Sequence, residues 1–163
     1  MSDSASESVI FMQCDGGTHE VFRSHERKGP RINAYVVMPT HMHAVVFDAD
    51  FDSTRLKLTL DEFRRFTGRQ LADLIDERFP PCFQSTIRAA SGDDRERRVW
   101  QPSRHPVAII GERFWQQKVD YLHENPCRKG LVRRAVDWKY SSAEWWYSDG
   151  SVATDVPLTA LEW

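Results

Sequence analysis

The stretch 31–47, RINAYVVMPTHMHAVVF, constrains the fold most, because two apolar and β-branched runs flank the short break Met38-Pro39-Thr40. Runs of this length on either side of a proline are typical of two strands joined by a tight turn. We therefore predict a β-hairpin. An isolated hairpin is at best marginally stable in water, so the remaining chain has to supply further strands or helices.

Other elements follow from the spacing of the apolar residues. We predict a short strand over residues 8–13, a break at Gly16-Gly17 and a short helix over 19–28. A longer helix is predicted over 59–79, with Thr59 or Asp61 as its cap. Pro80-Pro81 should end that helix. Its apolar positions are Leu60, Phe63, Phe66, Leu71, Leu74 and Ile75.

The second half of the chain predicts an exposed loop, a strand and another helix. Polar residues 89–98 indicate the loop, and residues 107–110 read as the strand. The helix should begin after Gly111 and stop at Pro126. Length and composition predict a single domain, 1–163, with a polar leader over 1–8 and an acidic, irregular tail over 149–163.

Composition excludes several classes of protein. The apolar runs are too short to cross a bilayer, and the first eight residues lack the features of a signal peptide, so we expect a cytoplasmic protein that does not enter a membrane. Three cysteines without CxxC spacing argue against a disulfide framework and a cysteine-built zinc site.

Charge argues weakly for a phosphate-binding surface. The whole chain has a net charge of −2, unlike many nucleic-acid binders. Residues 84–140, however, hold twelve Lys or Arg against seven Asp or Glu, a local net of +5 that leaves −7 elsewhere. Such asymmetry is more often a solvated face, so it acquires meaning only beside other observations.

Two pairs of residues could carry chemistry. His41 and His43 should project from one face of a strand, about 7 Å apart along the backbone, where two imidazoles can close on one metal ion. Tyr121 and Asn125 should share one face of a helix, whereas His123 points away and reads as a structural or hydrogen-bonding residue. Ordinary polar histidines beside a turn and a half-buried helical tyrosine remain the alternatives.

The two motifs together resemble a known family. YVVMPTHMHAVVF is similar to the signature of HUH transposases, in which a hydrophobic residue separates two histidines. VWQPSRHPVAII and VDYLHENPCRKGLVRRAVDWKYSSAEWW resemble the distal half of the REP-associated tyrosine transposases. Two ordered motifs, spanning roughly residues 33–146, are more specific than either one.

The resemblance implies a function and a role for each matching residue. It implies a metal-dependent endonuclease and strand transferase that acts on single-stranded or hairpin DNA. Tyr121 would be the nucleophile that forms a 5′-phosphotyrosine intermediate, and His41, His43 and Asn125 would bind Mg²⁺ or Mn²⁺. The protein would work as a monomer or homodimer.

The resemblance also implies a fold and a DNA-binding surface. The fold would be α+β, a ferredoxin-like antiparallel sheet with helices on one face. Phosphate contacts, which we assign from charge, would come from Arg95, Arg97, Arg98, Arg128, Lys129, Arg133 and Arg134. The aromatic residues Trp138, Tyr140, Trp145 and Trp146 could stack on bases, although packing is the more common use of such a segment.

The sequence departs from the family pattern in two places. Thr40 stands where asparagine commonly precedes the first histidine, which leaves both ligands intact. Few residues precede the hairpin, so the first strand is expected to be shortened or missing. This departure keeps two other hypotheses open: a DNA-hairpin-binding protein or decayed transposase that does not cleave, and a structural or protein-interaction domain that binds no metal.

Overall fold

The computed structural model describes residues 9–15, 29–82, 99–100 and 106–161, with backbone only for the first range. The strands are β1 (Val9–Asp15), β2 (Pro30–Val37), β3 (His41–Asp48) and β4 (Val107–Ile109). The helices are α1 (Ser53–Arg78), α2 (Glu112–Arg128) and α3 (Ala143–Tyr147), and a 3-10 turn covers Ala135–Asp137. The predicted leader, the helix over 19–28 and the loop over 89–98 lie outside the described residues.

The four strands form one antiparallel sheet in the order β2-β3-β1-β4. The predicted hairpin is confirmed, and its turn is closed by a 2.8 Å hydrogen bond from the Met38 amide to the His41 carbonyl. In this order β1 lies between β3 and β4, the two strands that α1 connects, as in a ferredoxin-like sheet. The predicted α+β antiparallel fold is therefore confirmed.

The first strand, which we expected to be shortened or missing, is present. β1 has seven residues and pairs with β3 on one side and with β4 on the other. The prediction of a strand over 8–13 located it nearly correctly. Seven residues are enough for a strand of average length, so β1 forms although few residues precede the hairpin.

The described helices do not all lie on one face, which corrects the second part of the fold prediction. One core joins α1 to the sheet through Tyr35, Val37, Met42, Ala44, Val46, Leu56 and Leu71. The other core joins α2 to the opposite face through Ala34, Val36, Val45, Phe47, Trp115, Val119 and Leu122. Alternation sends successive strand residues to opposite faces, and because both sets are apolar, both faces need cover.

Helix α1 begins earlier than predicted. Asp52 is the cap, and its side chain accepts hydrogen bonds from the amides of Thr54 and Arg55 at 2.9 and 3.0 Å. Thr59 and Asp61 therefore lie inside the helix. The helix ends before Pro80-Pro81 as predicted, but Phe66 is exposed instead of contributing to the core.

Helix α2 continues two residues past Pro126, which corrects its predicted end. A proline in the last turn removes only one helical hydrogen bond, and the amides of Lys129 and Leu131 still bond the carbonyls of Asn125 and Pro126. Gly130, with a φ of 69°, then takes the left-handed conformation that turns the chain away.

The segment after α2 covers the outer edge of β2. The Val37 amide donates to the Tyr140 carbonyl at 2.8 Å, and the Ser142 amide donates to the Tyr35 carbonyl at 2.9 Å. Residues 151–161 have no regular secondary structure, but the Thr159 amide also bonds β2 at the Ile32 carbonyl. The edge of β2, which would otherwise expose unpaired amides, is thus hydrogen-bonded to later segments of the same chain. None of the helices in the described ranges is long and apolar enough to cross a membrane.

Candidate active site

Two histidines face α2 from the start of β3. His43 lies in the interior of the sheet, with Val36 of β2 and Gln13 of β1 as its backbone neighbours. Alternation places His41 and His43 on the same face as Val45 and Phe47, which pack in the α2 core. His43 is buried and His41 is partly exposed. His43 therefore lies in the core beneath α2, and His41 lies at the edge of the same face.

The two imidazole rings are close enough to act together. Their centroids are 4.9 Å apart, with an interplanar angle of 74°. The Thr40 hydroxyl lies 3.0 Å from Nδ1 of His41. A hydrogen bond at one ring nitrogen fixes the orientation of the imidazole and leaves the other nitrogen to a ligand.

Tyr121 faces His43 across the interface between helix and sheet. The centroids of the two rings are 5.8 Å apart. The neighbouring Val119 and Leu122 are buried against the sheet, whereas the Tyr121 side chain is 40% exposed. Residues 78 positions apart in the sequence thus meet at one point, with the tyrosine open to a large ligand.

Asn125 lies one helical turn after Tyr121, at the spacing that keeps both on one face of α2. Its side chain is buried, and its amide nitrogen has no hydrogen-bond partner among the described residues. A buried polar atom without a partner is costly unless a ligand satisfies the group. The unpaired N–H group of Asn125 therefore suits a phosphate oxygen, and the amide oxygen of the same side chain is the atom that could bind a metal ion.

The donor set fits a divalent ion. Imidazole nitrogens and an amide oxygen bind Mn²⁺ well, and Mg²⁺ accepts the oxygen and would keep several waters. No cluster of three or more His, Cys, Asp or Glu able to hold a metal occurs within residues 29–82, 99–100 and 106–161. Among the described residues, the third ligand of a site built on His41 and His43 would be Asn125 or another amide or hydroxyl.

His123 is a hydrogen-bonding residue, as predicted. It is buried, and its Nε2 lies 2.8 Å from the Ser142 hydroxyl. That hydroxyl accepts from the Tyr35 amide at 2.8 Å and donates to the Tyr35 carbonyl at 3.2 Å. Which of His123 and the Ser142 hydroxyl donates depends on the tautomer of the imidazole. Burial lowers the pKa of His123 to about 4, so the ring is neutral at pH 7.

These bonds hold α2 against β2, the neighbour of the strand that carries the histidines. Trp115, in the first half of α2, donates its indole N–H to the Asn33 side chain at 2.7 Å. His123 makes the second link near the end of the helix, through Ser142 to β2. Our reading of the sequence gave Ser142 no role. A serine within an aromatic segment was the only signal, and it did not reveal a partner 107 residues away.

The predicted DNA contacts fall into three groups. Arg95, Arg97 and Arg98 lie outside the described residues. Arg128, Lys129 and Arg133 are exposed at and beyond the end of α2, and Arg128 places its guanidinium carbon 5.0 Å from the centroid of the Tyr121 ring. Arg134 is exposed but forms an ion pair with Asp137 at 2.5 Å, which raises the arginine pKa.

The aromatic residues of the distal segment mainly pack. The indole N–H of Trp138 donates to the Val37 carbonyl at 3.0 Å, and that of Trp146 donates to the Asn33 carbonyl at 2.9 Å. Trp145 packs edge-on against Trp146, with ring centroids 5.0 Å apart. The three tryptophans therefore pack within the protein. Tyr140 is partly buried against the α1 core.

An antiparallel α+β sheet with paired histidines facing a helical tyrosine is the arrangement implied by the resemblance to HUH transposases. The chain is 25% identical over 128 residues to the REP-associated tyrosine transposase of Escherichia coli (strain K12), which covers 76% of this chain. It spans 61% of the length of that relative. No protein-family model matches the chain.

A solved structure has the same fold. It is a REP-associated tyrosine transposase bound to a REP hairpin, with a TM-score of 0.51 and 19% sequence identity, and the match covers 97% of this chain and 90% of that one. The sequence comparison gives a relative of that name, and the structure comparison shows the fold. The resemblance to REP-associated tyrosine transposases is confirmed.

Proposed function

We propose that this chain is a metal-dependent, single-tyrosine DNA endonuclease and strand transferase of the HUH class, acting on hairpin DNA with a single-stranded flank. The observation that carries the proposal is the 5.8 Å separation of the His43 and Tyr121 rings, which unites two distant motifs. The relative from Escherichia coli is named a transposase, and the structural relative is bound to a REP hairpin. Both names support the substrate class.

The reaction is a transesterification at phosphorus. The Tyr121 oxygen forms a bond to the scissile phosphorus, and the bond from phosphorus to the 3′ oxygen breaks. The phenolic proton is lost to solvent, and the departing 3′ oxygen takes up one proton, so charge balances. The 5′-phosphotyrosine bond retains the energy of the phosphodiester, and attack by a 3′ hydroxyl can rejoin the strand without ATP.

Each residue of the site has a separate task. His41, His43 and Asn125 would hold a divalent ion, Mg²⁺ or Mn²⁺. When bound, such an ion polarises the scissile phosphate, which compensates for a phenol that is a weak nucleophile at neutral pH. Tyr121 is accessible enough to reach a phosphate, and α2 holds its ring beside His43.

Sequence-independent affinity for DNA comes from the cations after α2. Arg128, Lys129, Arg133 and Arg134 lie within seven residues of one another, and Arg95, Arg97 and Arg98 precede β4. Neutralising phosphates releases counterions, so hairpin binding should weaken steeply as salt is raised.

The test uses labelled hairpin oligonucleotides taken from the DNA that flanks the gene. The wild-type protein, Tyr121→Phe and His41→Ala are incubated with the hairpins and Mg²⁺ or Mn²⁺, and a denaturing gel separates free from protein-linked DNA. We expect a nick and a covalent band in the wild type alone. Phenylalanine removes only the hydroxyl, so loss of the band identifies the nucleophile.

Two other results would reject the enzyme. Salt-dependent hairpin binding without a covalent band under either metal would leave a DNA-binding protein that does not cleave. If neither metal nor hairpin raises the melting temperature, the chain is a structural or protein-interaction domain, because a ligand that binds only the native state must stabilise it.

A further inference from the structure

Three residues form a continuous stripe along the last turns of α2. Tyr121, Asn125 and Arg128 stand at positions i, i+4 and i+7, a spacing that keeps all three on one helical face. The guanidinium carbon of Arg128 is 5.0 Å from the Tyr121 ring centroid, within the range of a cation–π contact. The phenol of Tyr121, the amide of Asn125 and the guanidinium of Arg128 therefore lie on the same side of the helix.

Arg128 differs from Arg55 and Arg134 in its partners. Arg55 is paired with Asp48 and Asp50, and Arg134 is paired with Asp137. No carboxylate in the part of the chain that the structure describes forms an ion pair with Arg128. The guanidinium carbon lies over the Tyr121 ring, and a cation–π contact does not use the N–H groups as hydrogen-bond donors to an acceptor atom, so they can still bind an anion.

We propose that Arg128 is a catalytic residue of the cleavage reaction, binding the non-bridging oxygens of the phosphate that Tyr121 attacks and then carries. A planar guanidinium can donate two parallel hydrogen bonds to a phosphate, which fixes its orientation as well as its charge. The same side chain, lying against the ring, also restrains a half-exposed tyrosine that would otherwise sample several rotamers. This inference rests on the proposed function.

The chemistry of the step is unchanged by this role. The phosphorus gains a bond to the Tyr121 oxygen and loses its bond to the 3′ oxygen, and Arg128 remains protonated throughout. Its positive charge lies beside the oxygens on which negative charge develops, where a preorganised donor lowers the barrier more than it strengthens substrate binding. Removing it should therefore slow the chemical step and not merely weaken affinity.

The experiment separates rate from affinity. Single-turnover formation of the covalent band is followed with Mn²⁺ at hairpin concentrations well above the measured Kd, for wild type, Arg128→Ala, Arg128→Lys and Arg113→Ala. Arg113 is the matched control, because it is an exposed arginine in the first turn of the same helix. Melting temperatures verify that each variant folds.

We expect Arg128→Ala to slow covalent-band formation about 100-fold at saturating hairpin. Arg128→Lys should recover part of that loss, since it keeps the charge without the planar pair of donors, and Arg113→Ala should react like the wild type. A wild-type rate for Arg128→Ala would overturn the inference while leaving the proposed function intact. So would a defect that disappears at saturating hairpin, since Arg128 would then only bind DNA. If the wild type itself forms no covalent band, both proposals fail.

Discussion

The two faces of the sheet differ in what their helices cover. Beneath α1, the side chains from β2 and β3 form an apolar core with Leu56 and Leu71. Two polar links lie on this face: the 2.8 Å bond from the Trp100 indole to Thr67, and the ion pair of the buried Asp48 with Arg55 of α1. Beneath α2 the core is equally apolar, but at the start of β3 the same face carries His41 and His43. Among the described residues, the candidate chemistry thus belongs to one face.

This contrast shows how one hairpin can serve stability and function together. Even-numbered residues of β3 fill the α1 core, and odd-numbered residues supply first the histidines and then the α2 core. A shift of one residue in the register would exchange the two sets, so the packing under α1 also specifies which face the histidines occupy. Substitutions on the two faces should therefore have separable effects.

The largest effect is expected on the α2 face. Tyr121→Phe should lower the rate of covalent-band formation by at least about a thousandfold, because no other group replaces the nucleophile. The melting temperature should change little, since the side chain is half-exposed and its ring is retained. Residual activity near the wild-type level would point to another nucleophile and would remove the functional contrast between the faces.

A large but different effect is expected on the α1 face. Leu56 is fully buried, so Leu56→Ala should lower the free energy of unfolding by about 3 kcal/mol, measured by urea denaturation. Leu58→Ala, in the same helix but 60% exposed, is the control and should change it by no more than about 0.5 kcal/mol. The rate of covalent-band formation per folded molecule should be the same in both variants. A selective loss of rate in Leu56→Ala would mean that the faces are not independent.

The link between α2 and β2 predicts a pH dependence. His123 has a folded pKa of about 4, below its ordinary 6.5, so the unfolded chain binds the proton more tightly. Stability should thus be lost as the pH falls from 6.5 toward 4, by about 2 kcal/mol between pH 7 and pH 5. His123→Gln keeps a donor for Ser142 but does not titrate, and it should flatten this part of the curve. An unchanged slope in the variant would assign the acid sensitivity to other groups.

The smallest effect concerns the residue before the first histidine. Thr40→Val removes the hydroxyl 3.0 Å from Nδ1 of His41 and should weaken Mn²⁺ binding about tenfold, as loss of a neighbouring hydrogen bond does at other metal sites. The readout is the rise in melting temperature as Mn²⁺ is titrated, and Thr40→Ser, which retains a hydroxyl, is the control. Equal affinities for valine and serine would show that the contact does not orient the ring.

Local patterns were enough to predict much of this protein. Alternation located the hairpin and placed His41 and His43 on one face, and helical spacing placed Tyr121 beside Asn125. The start of α1 was missed because residues 53–58 contain few apolar side chains, and its true cap, Asp52, precedes them. The end of α2 was missed because a proline in a last turn is tolerated, whereas the sequence rule treats it as a stop.

By itself, the sequence determined the hairpin, the spacing within each motif and the resemblance to REP-associated tyrosine transposases. Only the tertiary structure decided that α1 and α2 cover opposite faces, that Ser142 links His123 to β2, and that Arg128 lies over the Tyr121 ring. The physical reason is that periodicity specifies which side of an element a residue occupies. Which partner meets that side depends on how the whole chain buries its apolar faces and pairs its edges.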